Sequence, residues 1–173
     1  MRHRTRTRTR AFLAVGIAAV VVLAAVPASM AALHARSTAT CVRNQLGVRS
    51  NGSQGAAGTI YGAWVFTNVS KTTCTLTGYP SLALYGTRGR PIPTTEKRDL
   101  LPGPRLVTLA PGASATFRTS YSDVPSSRRA CPMSSVMQVD APGVAQPLFI
   151  PATLGPCGGL VHVSAVRAGI HHA

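Results

Sequence analysis

The sequence predicts an all-β fold: an immunoglobulin-like antiparallel sandwich with two disulfides, preceded by an N-terminal signal helix. Three observations carry that reading. Apolar side chains recur with a period of two in short segments, turn residues separate those segments, and four cysteines follow what reads as an export signal. Sixteen Gly and thirteen Pro in 173 residues also favour many short elements over long helices. Hydrophobic residues make up 45% of the chain and charged ones 13%, so there is a core to bury and no charge repulsion to keep the chain disordered.

The amino terminus comes first. Met1 to Arg10 holds Arg2, Arg4, Arg6, Arg8 and Arg10 with no acid, and Ala11 to Val26 runs sixteen residues without a charged or uncharged polar side chain. Basic residues ahead of an apolar run are the leading regions of a secretory signal. Pro27 breaks the run, and Ser29-Met30-Ala31 offers small side chains to a signal peptidase, so cleavage is expected after Ala31, with Ala28 as second choice. The competing reading is an uncleaved anchor, which needs about 20 apolar residues and so a continuation past Pro27 to Leu33. Either way the remainder lies outside the cytoplasm. The resulting organisation is a signal peptide over 1–31, a linker over 32–39, the sandwich over 40–167 and a flexible tail over 168–173. Cys41 lies too far from the apolar run for lipid attachment, and arginines that alternate with threonines do not support a twin-arginine route.

The strands then follow in order. A first one falls between Val42 and Val48. Ile60 to Val69, with Trp64, Val65 and Phe66 at its centre, is apolar on both parities and suits a strand covered on both faces. Cys74 and Leu76 alternate with Thr75 and Thr77, and Ser81 to Tyr85 follows. Gly86 to Pro104, rich in Pro, Thr and charge, reads as a long exposed connection with an irregular strand near Ile92. After Arg105 to Leu109, the set Ala113, Ala115, Phe117, Thr119 and Tyr121 alternates with Ser114, Thr116, Arg118 and Ser120, a half-buried strand. Ser135 to Val139, Pro147 to Ile150 and Val161 to Ala165 complete about seven to nine strands, the number and spacing of a sandwich, with a small closed barrel as runner-up. Asn51-Gly52, Gly78, Pro111-Gly112, Pro142-Gly143 and Gly158-Gly159 mark the turns.

Cys41, Cys74, Cys131 and Cys157 in an exported chain predict two disulfides. Four cysteines permit three pairings; Cys41 with Cys74 and Cys131 with Cys157 is favoured because each pair links neighbouring segments. Loops of about 30 residues would then each contribute roughly 3–4 kcal/mol in the chain-entropy description.

The net charge is +14, and without the five signal arginines thirteen basic residues face Glu96, Asp99, Asp123 and Asp140, about +9. Such a domain attracts anionic polymers weakly. Its basic residues are scattered, with no run interleaved with aromatics, which argues against specific nucleic-acid binding.

Several segments together resemble the actinobacterial secreted family known as domain of unknown function 4232. They are Gly55-Ala56-Ala57-Gly58, Phe66-Thr67-Asn68, Cys74-Thr75-Leu76-Thr77-Gly78-Tyr79-Pro80, Leu109 to Ala115, Cys131-Pro132, and Cys157-Gly158-Gly159-Leu160 followed by Val163-Ser164. The stretch from Cys74 to Pro80 is the most specific. The resemblance spans roughly residues 40–167 and implies an exported domain of envelope or extracellular location with no established catalytic or ligand-binding residue.

Candidate chemistry is sparse. A hydrolytic triad needs a base, and the folded region offers only His162, whose parity places it opposite Val161 and Val163, facing solvent. Asp123 or Asp140 beside it in a deep pocket would raise the hydrolase reading. Ser114 lacks a nucleophile elbow and reads as a turn residue. Without Cys-x-x-Cys spacing no metal site is expected, and His171 and His172 belong to the tail. Asn51-Gly52-Ser53 and Asn68-Val69-Ser70 match a glycosylation sequon but read as a turn and a strand end. Trp64, Tyr61, Tyr79, Tyr85 and Tyr121 are expected in the core with hydroxyls at its periphery. No catalytic, cofactor-binding or metal residue is assigned. The expectation is a secreted or envelope-located, non-enzymatic binding or structural module with an envelope or extracellular partner. Membrane contact is expected only through an uncleaved signal. Gly86 to Pro104 and Val124 to Arg129 are the loops expected to bind. An envelope hydrolase, or a binder of anionic envelope polymers, is the rival.

Overall fold

A computed structural model describes residues 37–173; the signal peptide expected over 1–31, its helix and most of the 32–39 linker lie outside the described residues. The described chain is all-β. In order it forms β1 (Leu46–Ala56), β2 (Thr59–Asn68), β3 (Cys74–Leu76), β4 (Ser81–Tyr85), β5 (Pro91–Ile92), β6 (Thr95–Arg98), β7 (Val107–Leu109), β8 (Ser114–Ser122), β9 (Val136–Asp140), β10 (Leu148–Pro151), β11 (Leu160–Val163) and β12 (Arg167–Ala168). Short 3-10 turns at Arg43–Gln45, Thr87–Gly89 and Cys157–Gly159 are the helical elements among the described residues.

The period-two pattern along β8 decides the layering. Ala115, Phe117 and Tyr121 turn into the core, while Arg118 on the opposite parity is exposed. β8 pairs antiparallel with β2 from Thr59↔Ser122 to Thr67↔Ser114, and the six-stranded sheet runs β1-β2-β8-β11-β6, with β12 also on β8. A four-stranded antiparallel sheet, β10-β9-β4-β5, lies opposite, and β3 and β7 form a two-stranded ribbon. Trp64, Phe66 and Phe117 of the first sheet share one buried cluster with Leu84, Met137 and Val139 of the second and Leu76 and Leu109 of the ribbon. This is an immunoglobulin-like β-sandwich. The Phe66 and Phe117 rings lie 5.2 Å apart at its centre; truncating either would cost about 3–5 kcal/mol.

Disulfides join Cys41 to Cys74 and Cys131 to Cys157, with Cα atoms 4.8 and 5.1 Å apart. The first ties β3 to the incoming chain, where the Cys41 amide donates to the Thr75 carbonyl. The second ties the loop before β9 to the turn before β11. Arg36–Ala173 is a compact unit containing the whole core cluster and both disulfides, and so carries what it needs to fold.

The structure differs from the sequence reading in five places. There are twelve described strands where seven to nine were expected, because pieces of two to four residues add to the long ones. The first strand starts near the expected place but runs on to Ala56: Asn51-Gly52 is a bulge, not a turn, with Gly52 at φ 98° and the register slipping between Ser50 and Ser53. The turn comes at Ala57-Gly58, both left-handed as a two-residue hairpin requires. The irregular strand expected near Ile92 is β5, but the connection Gly86 to Pro104 also contains β6, which pairs with β11 in parallel, whereas the other pairs of named strands are antiparallel. Residues 168–173, read as a fraying tail, contribute to β12 and then cross the sheet.

Candidate functional site

The parity of β8 that buries Phe117 and Tyr121 turns Thr116, Arg118 and Ser120 to the outer face of the six-stranded sheet. There they meet Tyr61 from β2, Asp99 and Leu101 from the loop after β6, Ser164, Arg167 of β12 and His171, which together line a hollow of about 280 Å³. Two hydrogen bonds hold its floor: the Ser164 hydroxyl Oγ accepts the Arg118 amide at 2.9 Å, and the Ser164 amide donates to the Arg118 carbonyl at 2.9 Å. Arg118 and Arg167 are exposed, and the single ion pair among the described residues, His162 Nδ1 to Asp99 Oδ1 at 3.1 Å, involves neither. Both guanidiniums therefore face the hollow without a carboxylate partner.

The carboxy-terminal segment forms one wall. Thr116 Oγ1 donates to the Gly169 carbonyl at 2.7 Å and accepts the His171 amide at 3.0 Å, while Asn51 Nδ2 donates to the His171 carbonyl at 3.0 Å. The segment thus bridges β8 and β1 across β2. That accounts for Ala63 and Val65, outward by parity yet fully buried.

The loop from Asp99 to Leu106 forms the other wall. Its start is anchored by the Asp99 amide on the Val163 carbonyl at 2.9 Å and by Tyr79 Oη on the Asp99 carbonyl at 2.9 Å, with the Arg98 guanidinium over the Tyr79 ring at 5.4 Å. Beyond that anchor Leu100, Leu101 and Leu106 are 74%, 90% and 68% exposed. A second hollow, of about 310 Å³, lies along the same loop between Arg105, Leu106 and Arg167.

His162 faces outward as its parity required, with Val161 and Val163 buried beneath it. Its partner is Asp99, where Asp123 or Asp140 was the expectation for a hydrolase. Asp140 stands on β9 of the other sheet, bonded to Gln138 Nε2 at 3.2 Å, and Asp123 follows β8. Ser120 is the register partner of His162, so acid, base and hydroxyl lie in a row on one face. Ser120 is also paired with Tyr61 on its other side, so its strand is hydrogen-bonded along both edges and offers no pair of free amides for an oxyanion.

Ser114 bonds Thr67 through its hydroxyl at 2.9 Å. Asn68 is fully buried: Nδ2 donates to the Thr72 and Leu109 carbonyls, each at 2.8 Å, and Oδ1 accepts from the Ser70 amide and hydroxyl. Its sequon is thereby closed to modification in the folded state. His171 Nε2 lies 2.9 Å from the Ala168 carbonyl and His172 Nδ1 3.4 Å from Asn51 Nδ2; among the described residues no group of three His, Cys, Asp or Glu is placed to hold a metal. The aromatics divide: Trp64 and Tyr121 are core, Tyr79 and Tyr85 are hydrogen-bonded at its edge, and Tyr61 faces the hollow. Of the loops expected to bind, Gly86 to Arg90 borders an open depression with Pro132 and Met133, and Val124–Arg129 is exposed.

Among the described residues, two ionisable groups lying away from the hollow are perturbed. Burial pushes the Glu96 carboxyl above its ordinary value, partly offset by the Leu82 amide it accepts and by Arg98. Burial likewise raises the Tyr121 phenol, against a backbone hydrogen bond at Gly155.

The convergence of Arg118 and Arg167 escaped the sequence reading. The outward parity of Arg118 was readable, but its meeting with Arg167 depends on β12 returning to β8 at Arg167↔Thr116.

Comparison with curated proteins finds no match, and comparison with solved structures finds none either. The model of the family described as Domain of unknown function (DUF4232) matches residues 41–167, from the first disulfide cysteine to the start of β12, and the chain belongs to that family.

Proposed function

We propose that this is an exported, non-enzymatic binding module of the cell envelope or extracellular space, and that the outer face of the six-stranded sheet is its binding surface. The observation that carries the reading is the hollow in which Arg118 and Arg167, free of carboxylate partners, stand among Tyr61, Ser120 and Ser164. Guanidiniums beside hydroxyls and an aromatic ring are the chemistry of recognition, supplying forked donors and a flat contact. Two disulfides fit an oxidising compartment, which agrees with the export signal expected over residues 1–31. Immobilised protein should retain a component of envelope extract that the variant R118Q/R167Q does not. Equal retention by both proteins would remove this face from the proposal.

One observation favours hydrolysis as a second reading: the row Asp99, His162, Ser120. The half-exposed ion pair and the absence of free amides beside Ser120 weigh against it. Turnover of ester or amide substrates that is lost in both His162→Ala and Ser120→Ala would establish it and overturn the non-enzymatic reading.

A further inference from the structure

We infer that the loop Leu100–Leu106 and the arginines beside it dock this domain onto an anionic lipid bilayer. The leucines enter the interface, and Arg105, Arg118 and Arg167 meet lipid phosphates. The inference rests on the binding-module reading and names its partner.

Single exposed leucines are ordinary on protein surfaces, but a cluster is not. Here three occur within seven residues, 74%, 90% and 68% exposed, and Ile170 nearby in sequence to Arg167 is 51% exposed. Their placement relative to charge is the second observation. Leu101 lines the hollow that holds Arg118 and Arg167, and Leu106 lines the neighbouring hollow with Arg105 and Arg167. Apolar and cationic side chains therefore share one surface, with Arg167 common to both hollows. Among the described residues Asp99 is the one side-chain carboxylate lining either hollow, and it is engaged by His162. A soluble polyanion would satisfy the arginines and leave the leucines in water; a bilayer with anionic headgroups satisfies both. Anchoring of Asp99 to Val163 and Tyr79, and the fixed φ of Pro102 and Pro104, present the loop with little ordering left to lose on docking.

Co-sedimentation of residues 36–173 with vesicles tests this, using phosphatidylcholine alone and phosphatidylcholine mixed with phosphatidylglycerol. The expected result is sedimentation with the mixed vesicles only, weakened about tenfold in L101S/L106S and about tenfold in R118Q/R167Q. All four side chains are exposed, so both variants should keep the wild-type thermal unfolding, which is measured alongside. Undiminished binding of L101S/L106S would mean that a phosphate-bearing polymer is the partner and would overturn the inference. So would sedimentation with neither vesicle, or with both alike. If vesicle binding fails while immobilised protein still captures an envelope component, the binding-module reading stands without its lipid partner; loss of both removes that reading too.

Discussion

The Trp64 indole donates its Nε1 hydrogen to Thr119 Oγ1 at 3.0 Å, diagonally across β2 and β8 and inside the core. The bond exists because residue 62 is glycine: a Cβ there would stand 2.9 Å from Thr119 Oγ1 and 3.2 Å from Trp64 Nε1. Gly62→Ala should therefore part the pair and leave a buried indole N–H unsatisfied, at a cost of about 1–3 kcal/mol. Thr119→Val removes the acceptor and should cost a similar amount. Urea unfolding followed by Trp64 fluorescence reads both; unchanged midpoints would mean that the core adjusts around the bond.

Asn68 uses every hydrogen-bonding position of its amide, holding the end of β2 to the β7 end at Leu109 and to the Ser70–Thr72 turn. Asn68→Ala leaves the Leu109 carbonyl and neighbouring groups without their partner, so a loss of about 2–4 kcal/mol is expected. Asn68→Asp should be nearly as damaging, since the carboxylate cannot donate to two carbonyls. Chemical denaturation of both variants measures this, and an Asp variant as stable as wild type would contradict it.

The two disulfides span 33 and 26 residues of sequence. By loop-closure entropy each contributes about 3.5 kcal/mol. The double variant C41S/C74S should lose about that much, and the same holds for C131S/C157S. A loss confined to one pair would locate the stability in the region that pair closes: β3 and the incoming chain, or the loop before β9.

Glu96 sets a pH dependence with a definite sign. Its carboxyl is raised by burial, so its contribution to stability is full below the unfolded-state value, about 4.3, and fades as the pH rises through the higher folded-state value. With only four acids in the chain, this one carboxyl should be visible in the melting temperature measured from acid to neutral pH. Glu96→Gln keeps an acceptor for the Leu82 amide and should flatten that decline. A variant whose profile matches wild type would assign the dependence elsewhere.

The alternation in β8, the doubly apolar Ile60–Val69 stretch, and four cysteines behind an expected export signal were enough to predict a disulfide-linked sandwich. Each is a local consequence of burial: a strand must turn every second side chain to the core, and such a pattern shows in one dimension. The outward parity of His162 was legible for the same reason. Its pairing with Asp99 was not, because it depends on β6 lying parallel to β11, a contact between segments more than sixty residues apart. The bulge at Gly52 also escaped, since glycine after asparagine serves a turn or a bulge equally well and only the register of β1 against β2 separates them. The meeting of Arg118, Arg167 and the exposed leucines is likewise a tertiary product. It needs β12 to return to β8 and the carboxy-terminal segment to cross the sheet, and long-range pairings of that kind follow from how the whole core closes, not from any one stretch of sequence.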